Sequence, residues 1–153
     1  MTGSRARHSL VVAAVYDLIR DTTRGTGPGF VLGDGASFIL SHDPPTVRVL
    51  DVAYLSRERV PDTGIPDGFW PIAPDLAVEI ISPIDWGRAG KGRPVPGSRN
   101  ASGLGAAVTG AHGDRLSARC APPIERGATD TLDGGDILPG FSVQVSALFE
   151  IQS

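Results

Sequence analysis

The chain has 153 residues and a mass of 15.9 kDa, which fits one domain that is large enough to bury a core. Its net charge of −3 argues weakly against a nucleic-acid binder, and its single cysteine, Cys120, excludes an intramolecular disulfide and a cysteine-based zinc cluster. No apolar run reaches membrane-spanning length, and the first seven residues lack the apolar stretch of a signal peptide, so we expect a cytoplasmic protein with no membrane partner.

The first predicted element is a helix over residues 8–24, because its apolar residues recur every three or four positions and form one buried face. The residues on this face are Val11, Val12, Val15, Leu18 and Ile19. Glycines at 25, 27 and 29 are expected to end the helix.

Alternating or continuous apolar runs then predict a series of strands. The predicted strands cover residues 30–32, 36–40, 47–55, 75–81 and 141–145. Turns are predicted at 43–45 and 131–136, and a helical turn at 146–150. A Pro/Gly-rich loop over 61–74 carries Trp70, which serves either as a lid or as a core residue. One helix followed by strands predicts a single α+β domain over 1–153, built around a mixed sheet.

Residues 87–129 interrupt this pattern. The block contains nine glycines, four prolines and no aromatic residue, and it carries 7 basic and 2 acidic groups, whereas residues 1–86 carry 7 basic and 11 acidic groups. Such a segment buries too little apolar surface to offset the entropy lost on ordering. We therefore expect it to be disordered.

Two acidic residues, Asp51 and Glu79, stand inside otherwise apolar strand-like runs. A carboxylate among core residues is costly unless it is paired or binds a cation. Two carboxylates on adjacent strands would offer hard oxygen ligands for Mg²⁺, which lowers the pKa of a bound water and stabilises charge on a phosphate. Strand alternation allows the alternative that each acid points into solvent, and on spacing alone the two interpretations are about equal.

Three separated segments resemble one known family. Residues 43–55 (DPPTVRVLDVAYL) are similar to its Asp-Pro, Val-Arg and Pro-Asp-Val-Ala-Phe pattern, with Leu50 in place of the usual proline. Residues 74–85 (PDLAVEIISPID) and 131–149 (TLDGGDILPGFSVQVSALF) are similar to its second hallmark and its C-terminal signature. The helix that opens with His8 matches its first core helix. The family is the Uma-type restriction endonuclease family of the PD-(D/E)XK nuclease superfamily.

The resemblance implies a restriction-endonuclease-like fold, a mixed β-sheet flanked by helices, and a hydrolase that cleaves phosphodiester bonds of DNA. It implies Asp51 and Glu79 as catalytic residues that hold Mg²⁺. DNA would be the partner, and a homodimer is compatible with it because cutting both strands needs two sites.

The chain departs from the family in two places. It begins at the first core helix, without the strands that usually precede it, and the block 87–129 lacks the helix with the catalytic lysine and the two strands that follow. Read one base later with synonymous codons, residues 92–105 can encode VDRYLAAGTRLVWV, which resembles the missing helix end and strand. Two compensating frameshifts, near Trp86 and Asp130, would explain the block; a diverged insert is the alternative.

Lys91 is the only lysine and stands near the position of the family's helix lysine, where it would orient the attacking water and stabilise the phosphate charge. Its glycine and proline neighbours favour a solvated loop residue instead. His8 could contact a phosphate or metal but is more often structural at a helix start. Ser82 and Asp85 are expected to cap the next helix.

Three functions remain open on the sequence: a Mg²⁺-dependent DNA endonuclease, a catalytically dead remnant of that fold, and a small non-enzymatic binding module. A sheet that loses internal strands exposes unpaired edges, which favours aggregation of a remnant. DNA binding that weakens steeply with salt separates the first function from the third.

Overall fold

The computed structural model describes residues 4–26, 29–33, 35–81, 105–110, 124–126 and 129–150 of the chain. The helices are α1 (Ser4–Thr26) and α2 (Ala147–Glu150), and a 3-10 turn covers Arg57–Arg59. The strands are β1 (Gly29–Leu32), β2 (Ala36–His42), β3 (Pro45–Leu50), β4 (Val52–Ser56), β5 (Leu76–Ile81), β6 (Gly105–Gly110), β7 (Ile124–Arg126), β8 (Thr131–Asp133) and β9 (Ser142–Gln144).

The first helix, α1, confirms the helix predicted over 8–24. Val11, Val12, Val15 and Ile19 are buried on one face, as their spacing predicts. The prediction that Leu18 shares this face is wrong, because Leu18 lies beside the edge of the stripe and is 38% exposed. Neither helix of the described residues is long and apolar enough to cross a membrane.

The single strand predicted over 47–55 is two strands that belong to different sheets. β3 ends at Leu50 and pairs with β2 in a two-stranded hairpin, whereas β4 begins at Val52 and pairs with β1 and β5. Asp51 lies between them, outside both strands. The apolar pattern does not reveal the break at Asp51, because Leu50 at the end of β3 and Val52 at the start of β4 are both buried. The other strands predicted before residue 82 are confirmed as β1, β2 and β5.

The described strands of the main sheet have the order β1-β4-β5-β6-β7, and every described pair of strands is antiparallel. The α+β class is confirmed, but the expectation of a mixed sheet is wrong for the described residues. A parallel pair needs a long crossover between strands. β4 and β5 instead run in opposite directions, so the loop that includes 61–74 only has to join neighbouring ends.

Two strands, β6 and β7, lie within the block 87–129, where composition predicted disorder or poor order. β6 pairs with β5 from Leu76↔Gly110 to Ile81↔Gly105, and β7 pairs with β6. Composition gives little sign of these strands because backbone N–H and C=O groups, rather than large side chains, form the hydrogen bonds between strands. The remaining positions of the block lie outside the described residues.

Two hydrophobic cores lie on opposite faces of β4 and β5. On one face, Val52, Tyr54 and Val78 pack with α1 and the C-terminal segment. On the other face, Ala53 and Ala77 pack with the hairpin, in the core that contains Phe38, Leu50, Leu55 and Trp70. Strand alternation produces this division, since successive side chains point to opposite faces.

Trp70 is a core residue rather than a lid. Its side chain is 6% exposed and is stacked on Phe38 at a centroid distance of 6.3 Å. The two residues also form a parallel bridge, in which the Trp70 N–H donates to Ser37 and the Ile39 N–H donates to Trp70. These contacts attach the 61–74 loop to the hairpin.

The C-terminal segment closes the first core. Residues 131–133 form β8 rather than the start of the predicted turn, and they pair with β9 inside the predicted strand 141–145. The turn follows at 134–140, where Gly140 has a positive φ of 87° that side-chain-bearing residues rarely adopt. The helical turn predicted at 146–150 is confirmed as α2, which buries Leu148.

Candidate active site

The end of the β4–β5 ladder brings the two predicted metal ligands together. The pairs of this ladder run from Tyr54↔Leu76 to Val52↔Val78, and Asp51 and Glu79 are the next residues along the chain on either side. Glu79 follows Ala77 by two residues, so strand alternation places it on the face toward the hairpin. Asp51, which lies outside both strands, is near enough for its charge to act on Glu79 and also lies beside His8 of α1.

Asp51 is held in a fixed position by contacts to the neighbouring strand and to α1. Its Oδ2 accepts a hydrogen bond of 2.7 Å from the backbone N–H of Ile80. The Nε2 atom of His8 lies 3.3 Å from the same oxygen, and the Asp51 side chain is only 15% exposed. The carboxylate is therefore oriented from two directions before any ligand arrives.

Glu79 is half-buried, and a proton on one of the two carboxyls allows a side-chain hydrogen bond between Glu79 and Asp51. Burial, followed by the charge of Asp51 and this hydrogen bond, raises the pKa of Glu79 to about 7, and the positive charge of Arg48 opposes the rise. Two neighbouring carboxylates repel each other when both are ionised, so one proton shared between Asp51 and Glu79 relieves the repulsion. A cation bound by both groups would relieve it in the same way.

The donor set fits a hard divalent cation. Carboxylate oxygens suit Mg²⁺, which commonly keeps several waters and takes only one or two carboxylates from the protein. Among the described residues, no group of three or more His, Cys, Asp or Glu side chains is placed to hold a metal ion. Asp51 and Glu79 would therefore be the protein ligands, with water in the other positions.

His8 belongs to this site although its sequence context favoured a structural role. It stands four residues before Val12, so it lies one turn N-terminal to Val12 on the same side of α1 as the buried valines. A polar residue in line with the buried apolar residues of a helix indicates that a polar partner lies opposite it. Sequence spacing alone does not reveal that the partner is Asp51.

The other sequence-predicted site residues are not tested by the structure. Lys91, Ser82 and Asp85 lie outside the described residues. The role of Lys91 in orienting water and stabilising phosphate charge therefore stays a prediction.

A second buried carboxylate, Asp75, lies at the opposite end of the β4–β5 ladder and has a structural environment. Its Oδ2 accepts the Ser56 N–H at 2.7 Å, and its Oδ1 accepts an Arg59 N–H at 2.8 Å. Its own N–H donates to the Tyr54 carbonyl. Both carboxylate oxygens are thus occupied by donors within the protein.

An open groove of about 540 Å³ lies between the C-terminal half of α1 and β1. Its lining residues are Tyr16, Arg20, Thr23, Arg24, Gly25, Gly29 and Val31. None of the groups around the carboxylate pair lines it. Because Gly29 pairs with Ser56, the groove lies at the end of β4 away from Asp51. The carboxylate pair, rather than this groove, is the candidate site, because the titratable groups predicted from the sequence lie there.

Comparison with known proteins adds no relative: the chain matches no protein-family model, no curated protein and no solved structure.

Proposed function

We propose that the chain is a Mg²⁺-dependent DNA endonuclease with a restriction-endonuclease-like fold, in which Asp51 and Glu79 hold the metal ion. The observation that carries the proposal is the proximity of these two carboxylates at the end of the β4–β5 ladder, with Asp51 oriented by Ile80 and His8. The resemblance of residues 43–55 and 74–85 to a nuclease family supports DNA as the substrate.

The bound Mg²⁺ would activate a water molecule and stabilise the negative charge that develops on the phosphate. The residues of the chain supply orientation and charge. The Ile80 N–H and His8 hold the Asp51 carboxylate in place, and Glu79, once its proton has passed to solvent, would be the second carboxylate that holds the metal ion. Lys91 would orient the attacking water, as the family resemblance implies.

The test is a Mg²⁺-dependent plasmid-cleavage assay with Glu79→Gln and Asp51→Asn, and with Glu58→Gln as the matched control. Glu58 is exposed in the 3-10 turn, so its substitution removes a carboxylate without touching the site. We expect cleavage to be lost in the two site variants and retained in the control. Cleavage that is unchanged in both site variants would overturn the proposal.

A parallel version of the chain, with residues 87–129 replaced by the sequence of the shifted frame, separates an active enzyme from an inactive remnant. Metal binding is followed directly by the amide resonance of Ile80, because this N–H donates to Asp51. Mg²⁺ that shifts this resonance without supporting cleavage, together with cleavage by the restored version, would identify the present chain as the inactive form. Absence of both Mg²⁺ binding and cleavage in both versions contradicts the metal site itself.

A further inference from the structure

The hairpin β2–β3 covers the face of the sheet on which Glu79 lies. Phe38 and Leu50 of the hairpin are buried in one core with Ala53 of β4 and Ala77 of β5. This contact fixes which side of the hairpin points toward the sheet. Side chains two residues along either strand from this core share its direction.

Arg48 of the hairpin and Glu79 of β5 are a pair of opposite charges, and each stands two residues from a residue of this core. Arg48 precedes Leu50 by two residues and pairs with Phe38 across the hairpin, so it belongs to the face that points at the sheet. Glu79 follows Ala77 by two residues and also lies on the face between sheet and hairpin. The effect of Arg48 on the pKa of Glu79, which its positive charge lowers, agrees with this placement.

Arg48 is available for an external anion. It is exposed, and no ion pair joins it to a carboxylate among the described residues. Arg59 and Arg24, in contrast, are each within an ion pair, with Asp75 and Asp21. Arg48 lies near enough to Glu79 for its charge to act on that carboxyl, so it places a positive charge near the candidate metal position.

We propose that Arg48 binds a backbone phosphate of the DNA at the carboxylate site. A guanidinium can donate two parallel hydrogen bonds to phosphate oxygens, which fixes both the position and the orientation of the phosphate. Arg48 is thus a phosphate-binding residue that holds the substrate beside Asp51 and Glu79. This role rests on the proposed nuclease function for its substrate.

The test measures binding of a short fluorescent DNA duplex by anisotropy over a series of salt concentrations. All proteins carry Glu79→Gln, which is expected to remove cleavage and which removes one of the two carboxylates that repel the phosphates, so that binding is read without catalysis. The parent is compared with Arg48→Ala, Arg48→Lys and Arg57→Ala. Arg57 is the matched control because it is exposed and its guanidinium lies 5.8 Å from the Phe30 ring, away from the carboxylates.

Loss of one phosphate contact lowers the slope of log Kobs against log salt by about 0.9, and loss of a charge-assisted hydrogen bond weakens binding about tenfold. We expect both changes for Arg48→Ala. Arg48→Lys should retain the parent's slope because it retains the charge, and Arg57→Ala should resemble the parent. Thermal unfolding of each variant checks that the fold is intact, since a merely structural role would change stability and leave the salt slope unaltered.

An Arg48→Ala protein with the parent's slope and affinity overturns the proposal, and so does a parent that binds no DNA. These outcomes are distinct from failure of the nuclease function, which is measured separately by Mg²⁺ binding and cleavage. If Arg48→Ala loses the slope while Mg²⁺ neither binds nor supports cleavage in the chain with its native Glu79, the phosphate contact stands and the nuclease function falls.

Discussion

The two ends of the β4–β5 ladder each hold a buried aspartate, and the protein treats the two in opposite ways. The side chains of Asp75 and Asp51 are almost equally exposed, at 13% and 15%. Asp75 is neutralised by Arg59 and by a backbone N–H. Asp51 accepts a backbone N–H and lies beside His8, but unlike Asp75 it also has another carboxylate, Glu79, as a neighbour.

The degree of burial therefore does not distinguish Asp51 from Asp75, whereas the partners of the two carboxylates do. A buried charge that is paired and hydrogen-bonded within the protein has no need of a ligand. Two ionised carboxylates that lie close together repel each other, and either a shared proton or a bound cation relieves this repulsion. Such pairs are more frequent at functional sites than elsewhere. The following predictions test this difference between the Asp75 end and the Asp51 end.

The largest effect is expected on catalysis at the Asp51 end. Asp51→Asn keeps an acceptor for the Ile80 N–H but removes the charge that would hold Mg²⁺. We expect single-turnover cleavage to fall by at least about a hundredfold, on the scale of losing one preorganised electrostatic group in an active site. The free energy of unfolding should change little. A variant that cleaves at the wild-type rate would place the metal elsewhere.

At the Asp75 end, the expected effect is on stability. Asp75→Ala leaves the Ser56 N–H and the Arg59 guanidinium without their acceptor. The free energy of unfolding should fall by about 2 kcal/mol, as for hydrogen bonds that involve a charged group. Urea unfolding measures it, with Asp62→Ala as the control because Asp62 is exposed in a loop. A difference from the control within about 0.5 kcal/mol would contradict a structural role for Asp75.

A smaller effect is expected for the residue that orients Asp51. His8→Ala removes the imidazole that lies 3.3 Å from the Asp51 carboxylate. Loss of such an outer partner typically weakens a metal site about tenfold or more, so we expect about a tenfold lower affinity for Mg²⁺ in a calorimetric titration. His42→Ala is the matched control, since His42 is exposed at the end of β2. Equal affinities in the two variants would reduce His8 to a helix-packing residue.

The smallest effect is a pH dependence of stability, because water partly screens a half-exposed pair. The pKa of Glu79 is about 7 in the folded protein, whereas the ordinary value for a glutamate without interactions, as in the unfolded chain, is 4.5. Between these two pH values the folded state therefore binds more protons than the unfolded state. The free energy of unfolding therefore falls as the pH rises through this range and levels off above it. Urea unfolding at pH 5 and pH 8 measures the fall.

Glu79→Gln provides the control for the pH experiment, since it should abolish this part of the pH dependence. Mg²⁺ added at pH 8 should restore stability to the wild type alone, because it binds the folded site and not the unfolded chain. If the free energy of unfolding changes between pH 5 and pH 8 by the same amount in the wild type and in Glu79→Gln, the raised pKa of Glu79 is contradicted.

Much of the fold followed from apolar spacing. The periodicity of Val11, Val15 and Ile19 predicted α1, and the alternation of apolar residues predicted β1, β2 and β5. The position of Asp51 and Glu79 within apolar runs marked them as unusual, and the end of the β4–β5 ladder brings them together.

The remaining features depend on contacts that a local pattern does not contain. The break at Asp51 is invisible because the residues before and after it are equally apolar. The structural role of Asp75 depends on Arg59, 16 residues away, and on the Ser56 N–H. β6 was missed because sheet pairing by backbone hydrogen bonds leaves little trace in a sequence of small residues.

Asp51 joins the hairpin directly to the main sheet, so a single residue connects the strand that carries Arg48 to the strand β4 that pairs with β5. A second connection between the same two parts is made by Trp70, which stacks on Phe38 of the hairpin and belongs to the loop that leads into β5. The chain thus attaches the hairpin to the sheet both before and after β4, and the residues proposed to bind phosphate and metal lie on the two parts that these connections join.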